Sequence, residues 1–188
     1  MGTYEKTKAD LTVAQTWTAT QTFGSGLLAV NDVKFPATQV ASADVNTLDD
    51  YEEGTWTPAL ADDTLDGSGE GQTYAIQVGR YVKIGNRVYF TCNLDITSPG
   101  TLTGGQQARL VGLPFTSLAT ASTQGSIAVG HGDSLALAAA GYAVTGLMPV
   151  NTTYIALYVW NATGGTGNFT VTMMGTIGQL ILSGYYEV

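Results

Sequence analysis

The chain has 188 residues, 44% of them hydrophobic and only 12% charged, with 24 glycines and a net charge of −8. About 25% charge is usual in a globular chain, so this shortage excludes a disordered polyelectrolyte and long solvated helices. It fits short strands, tight turns and a surface covered largely by copies of the same chain. Seven basic residues cannot form a stripe that tracks phosphates or an anionic bilayer, which argues against nucleic acid and membrane partners.

In chain order, residues 1–10 are polar and lack the apolar core of a signal peptide, so the expectation is a protein made in a cytoplasm. No window reaches the length of a transmembrane helix. Residues 11–23, LTVAQTWTATQTF, place Thr12, Ala14, Thr16, Thr18, Thr20 and Thr22 on one parity, and Leu11, Val13 and Trp17 on the other. A period of two means extended chain, yet so sparse an apolar line is marginal alone. Wound with identical chains about an axis, it would bury Leu11, Val13, Trp17 and Phe23 against their own copies. Residues 1–43 are therefore expected to form an N-terminal stalk segment. Residues 44–54 follow as an acidic hinge or collar carrying Asp44, Asp49, Asp50, Glu52 and Glu53, with a capped helical turn or turn-rich stretch over 42–54.

Residues 55–188 are expected to form an all-β head, a β-sandwich or jelly roll of about eight strands. Strands are expected over 55–60, 72–84, 87–96, 109–113, 126–129, 142–147, 153–160, 168–174 and 180–188. An acidic loop covers 62–71, and one helical turn over 135–140 stops at Gly141. Gly85-Asn86 is a hairpin turn. After it, Val88, Phe90, Cys92, Leu94 and Ile96 alternate with polar residues, so one face is core and Cys92 is a buried small hydrophobe. Being the only cysteine, it also excludes an intrachain disulfide.

Catalysis finds little to work with. The single histidine, His131, lies in a glycine-flanked stretch, and a triad with Asp133 and Ser134 would need sequence neighbours to converge. One histidine and one cysteine cannot make a zinc site within one chain. Asp49, Asp50, Glu52 and Glu53 are consecutive acids of the kind that form a solvated patch rather than a glycosidase pair. In the loop from Asp62 to Glu70 the acids miss the D-x-D-x-D-G step of a calcium loop. We assign no catalytic residue, metal ligand or cofactor. The strand at 153–160 stands out, with Ile155, Leu157 and Val159 on one side and Tyr154, Tyr158 and Trp160 on the other. Aromatics with polar handles suit contact with a sugar or a protein, and these three are the candidate ligand-binding residues. The alternative is a strand buried on both sides or packed against a sister subunit.

Three stretches resemble a known type. Residues 34–40, KFPATQV, and then Asn46-Thr47-Leu48-Asp49-Asp50-Tyr51-Glu52-Glu53-Gly54-Thr55-Trp56-Thr57-Pro58 are similar to a junction in tailed-bacteriophage fibre and appendage proteins. Tyr81-Val82-Lys83-Ile84-Gly85-Asn86-Arg87-Val88 is similar to the first hairpin of their heads. The resemblance implies an intertwined homotrimer located in the virion. Its N-terminus would be held by other virion proteins, and its C-terminal head would attach to a host-surface glycan or protein. The alternative is a capsid-mounted decoration or head-fibre protein with a purely structural role. A polysaccharide depolymerase would need length and repeats absent here, so a non-enzymatic protein is expected.

Overall fold

The computed structural model describes residues 35, 38, 43, 44, 47–120 and 124–188. The chain divides into Met1–Lys34 and Phe35–Val188, and all described residues belong to the second part. The expected stalk contacts Leu11, Val13, Trp17 and Phe23 lie outside the described residues.

The second part is all-β. Its elements are β1 (Tyr51–Trp56), β2 (Ala59–Ala61), β3 (Thr73–Ile84), β4 (Arg87–Ser98), β5 (Arg109–Val111), β6 (Gly125–Asp133), β7 (Ala143–Met148), β8 (Tyr154–Ala162), β9 (Gly165–Asn168), a one-turn helix α1 (Val171–Met174) and β10 (Gln179–Glu187). The ten strands join in one sheet, in the order β1-β3-β4-β10-β6-β7-β8-β5-β2, with β9 on β8. The described strands thus do not separate into the two sheets that a sandwich or jelly roll supposes. The sheet curls instead. Its first and last strands, β1 and β2, are linked by Thr57 and Pro58 alone, a span of at most about 11 Å. A ten-stranded ribbon can bring its ends that close only by rolling up, and rolling up gives the apolar faces one shared interior.

That interior follows from period-two alternation. Val88, Phe90, Cys92, Leu94 and Ile96 of β4 are buried, as are Ile155, Leu157 and Val159 of β8 and Leu180, Leu182 and Tyr186 of β10. Trp56 meets Phe90 edge to face at 6.1 Å between ring centroids. The C-terminal strand β10 lies between β4 and β6, pairing antiparallel with both, so the chain's end is stitched into the middle of the sheet.

Two local expectations are corrected. Residues 168–174 alternate like a strand, but β9 ends at Asn168, Thr170 makes only an isolated bridge to Gln107, and Val171–Met174 forms α1. Its amides are used elsewhere: Val171 N–H donates to the Gln106 carbonyl and Thr172 N–H to that of Gly104. No helix forms over 135–140. The segment read as a collar also changes in part, since its last residues, Tyr51–Gly54, belong to β1 and pair with β3 from Ile84 back to Tyr81.

The β3–β4 hairpin turns at Gly85-Asn86, where Gly85 takes φ +57°. Of the two central residues only Gly85 has positive φ, the pattern of a type II′ turn with glycine first. The β1–β3 pair is a zipper of complementary side chains. Asp50 and Lys83, both buried, form an ion pair, with the Lys83 ammonium 5.6 Å from the Phe115 ring centroid. The Tyr81 hydroxyl donates to Glu52, and that bond, with burial, pushes its phenol up to about 12. Tyr81 lies over Gly54, where a Cβ would come within 2.8 Å of the ring, and Trp56 lies still closer over Gly79. Each aromatic covers the glycine opposite it, a device that keeps glycine-containing strands in register.

Candidate functional site

Strand β8 splits its side chains as the sequence expects. Ile155, Leu157 and Val159 point into the core, while Tyr154 and Tyr158 are half-buried and Trp160 is 55% exposed. The three aromatics share the outer face but do not converge. At ~3.3 Å per residue, Tyr158 stands about 13 Å and Trp160 about 20 Å along the strand from Tyr154. Ala156, between them, is buried next to Arg109 of β5 and Leu147 of β7.

Tyr154 belongs to a cleft of about 340 Å³ whose walls include Asp63, Asp66, Arg109, Val111 and Thr153. The Arg109 guanidinium sits 4.6 Å from the Tyr154 ring centroid, within the range of a cation–π contact. The Arg109 Nε is buried without a hydrogen-bond partner, and the side chain forms no salt bridge among the described residues. The cleft therefore offers hydrogen-bond donors, carboxylate acceptors and an aromatic edge, the set that a ligand with several hydroxyl groups needs. Sequence reasoning missed Arg109. It sits in a three-residue strand, and its only signal was a lone arginine in an otherwise apolar run.

Tyr158 faces Thr145 of β7 and Asn168 of β9, and Trp160 faces Ala143 and Thr166. These two form a separate aromatic stretch at the β9 end of the strand, outside the cleft.

The acids of the first loop divide into two kinds. Asp62 is buried. Its Oδ1 accepts from Thr64 N–H, Thr64 Oγ1–H and Leu65 N–H, each at 2.7 Å, and its Oδ2 accepts from Thr103 N–H at 2.8 Å. Burial alone would raise this carboxyl, but the four donors outweigh it and hold it at about 2. Asp66 accepts from the amide and hydroxyl of Ser68, which lowers its carboxyl too. No group of three metal-ligating side chains occurs among the described residues. The consecutive acids of 49–53 are not one solvated patch either, because Asp50 and Glu52 are tied to Lys83 and Tyr81. His131 proves to be a strand residue of β6 rather than a loop histidine. It stands opposite Ile181, beside the irregularity at which β10 shifts register. No side-chain hydrogen bond joins it to Asp133 or Ser134 among the described residues.

No protein-family model matches the chain, and no curated protein matches it. Among solved structures, the crystal structure of the Dettilon tailspike protein (gp208) is similar, with a TM-score of 0.60 and 21% identity. The similarity covers 73% of this chain and 24% of the tailspike chain, so this chain corresponds to about a quarter of that protein. At this identity the likeness is one of fold: the curled antiparallel sheet built here resembles a portion of a tailspike protein.

Proposed function

We propose that this chain is a bacteriophage virion appendage protein. In this reading it is a homotrimer, anchored through its N-terminal part to other virion proteins. The sheet of Phe35–Val188 serves as a head that attaches to a host-surface glycan or protein and carries no enzymatic activity. The observation that carries the reading is the likeness of this sheet to part of a tailspike protein. The residues that resemble the fibre junction add support, because they have a physical job: Asp50, Glu52, Gly54 and Trp56 lock β1 onto Lys83, Tyr81 and Gly79 of β3. The attachment surface is the outer face of β8, with the Tyr154–Arg109 cleft at one end and Trp160 at the other.

The capsid-mounted structural role draws on a different observation, the separation of the three aromatics along β8, which keeps them from closing on one small ligand. Binding of the purified full chain to host cells and to a glycan array decides between the two. Attachment predicts saturable binding that falls at least tenfold in Tyr154→Ala or Trp160→Ala with an unchanged melting temperature. A wild-type protein that binds neither cells nor glycans sinks the attachment reading and leaves the structural one.

A further inference from the structure

The four strands β1, β3, β4 and β10 turn a second face away from the core. Register places Tyr89 between Val82 and Tyr185, and the Tyr89 and Tyr185 rings lie 6.1 Å apart. Tyr51, Val78, Ile84 and Ile181 stand on the same face, and these four with Tyr89 and Tyr185 are exposed, Tyr89 and Val78 by 46% each, while Val82 is half-buried. A depression of about 300 Å³ opens beside Tyr89, between Arg80 and Thr91. With strands ~4.8 Å apart and ~3.3 Å per residue, the face covers about 20 by 20 Å. Exposed tyrosines and aliphatics interspersed with and rimmed by polar groups are the pattern of an interaction site on a soluble protein.

Charge says what covers it. The chain carries −8, yet this face sets Arg80 and Arg87 against Glu53, Glu187 and, at its far end, Asp95, so its local excess is a single negative charge. Two of the four basic residues among those described are gathered here. Arg87 is already paired with Glu187 at 2.9 Å, while Arg80 has no salt bridge among the described residues and Glu53 accepts only from the Tyr51 hydroxyl. Copies of so acidic a chain repel one another wherever acids are in excess. They can meet where the excess is smallest, apolar area is bare, and an unpaired arginine on one copy can reach a glutamate on the next. A basic foreign partner would instead be drawn to the acidic remainder of the surface.

We infer that the outer face of β1, β3, β4 and β10 is a self-association surface, occupied by a second copy of this chain. The inference rests on the oligomer proposed above and names the surface that makes it.

The test uses the full chain with single cysteines added at exposed positions, Ser183→Cys on this face and Thr166→Cys on β9. The native Cys92 is buried and adds no background. Mass is read by light scattering, and maleimide labelling rates are read on the same samples. The expected result is an oligomer in which S183C labels at least tenfold more slowly than T166C, with the difference abolished once the copies dissociate. Equal rates in a proven oligomer overturn this surface and leave the oligomer standing. Slow labelling of S183C in a monomer shows that the chain's own residues cover the face, which overturns the inference. Equal rates in a monomer overturn both the surface and the proposed oligomer.

Discussion

Asp62 carries a charge where charge is expensive to hold. A buried carboxylate is tolerable only when its lone pairs are filled, and here four donors from Thr64, Leu65 and Thr103 fill them. Its carboxyl is thereby held at about 2, below the ordinary 3.8. The sign follows directly: the folded state binds the proton less readily than the unfolded state does. The stabilisation is present in full above about pH 4 and is lost as pH falls toward 2. A shift of that size is worth ~2 kcal/mol. Asp62→Asn should therefore lower neutral-pH stability by about that amount, and its stability between pH 4 and 2 should vary less than the wild type's. Urea titrations at several pH values measure both effects. The sequence reading counted Asp62 among the residues of an acidic loop, because nothing local marks one aspartate of several as the anchor. Its partner Thr103 is distant in sequence and enters only on folding.

At the scale of elements, the zipper between β1 and β3 decides register. Gly79 is buried beneath Trp56 with no room for a Cβ, in the same way that Gly54 lies beneath Tyr81. Gly79→Ala should force the Trp56 ring off its packing against Phe90 and cost ~1–3 kcal/mol, as overpacking does. Alanine at exposed Gly105, where a Cβ meets nothing, is the control. Equal stability of the two variants by denaturant melts would refute the zipper. Strand positions were the most legible part of the chain, since alternation is written in neighbouring residues. The 87–96 alternation became β4, and the Gly85-Asn86 turn sits between β3 and β4. The misreadings at 168–174 and 135–140 share a cause. Short segments take the conformation that their long-range hydrogen bonds impose: the Gln106 and Gly104 carbonyls take the amides of Val171 and Thr172, and the Met173 carbonyl takes that of Ala136.

At the scale of the whole molecule, Cys92 reports on the integrity of the rolled sheet. It faces the interior from β4, with Gly79 of β3 on one side and Leu182 of β10 on the other, and burial pushes its thiol up to about 12. A thiolate can form at ordinary rates only when the sheet opens. Labelling of Cys92 in the native protein should run at least a thousandfold slower than in a denatured control. It should accelerate in step with global unfolding as urea is added. Rapid labelling without denaturant would show that β10 leaves its place between β4 and β6 without the rest of the sheet.

Composition and periodicity alone determined that the chain is rich in strands, low in charge and poor in catalytic groups, and they located the turns and one wall of the core. These properties are local: a two-residue repeat or a glycine turn needs only its neighbours. Tertiary structure decided that the strands form one curled sheet, that β10 enters between β4 and β6, and that Asp50 meets Lys83. It also decided that Arg109 stacks on Tyr154, while Tyr158 and Trp160 stand apart from that pair. Each of these depends on which strand lies beside which. Pairing of distant strands is set by the burial of the whole apolar face at once, so it has no signature in any single window of sequence.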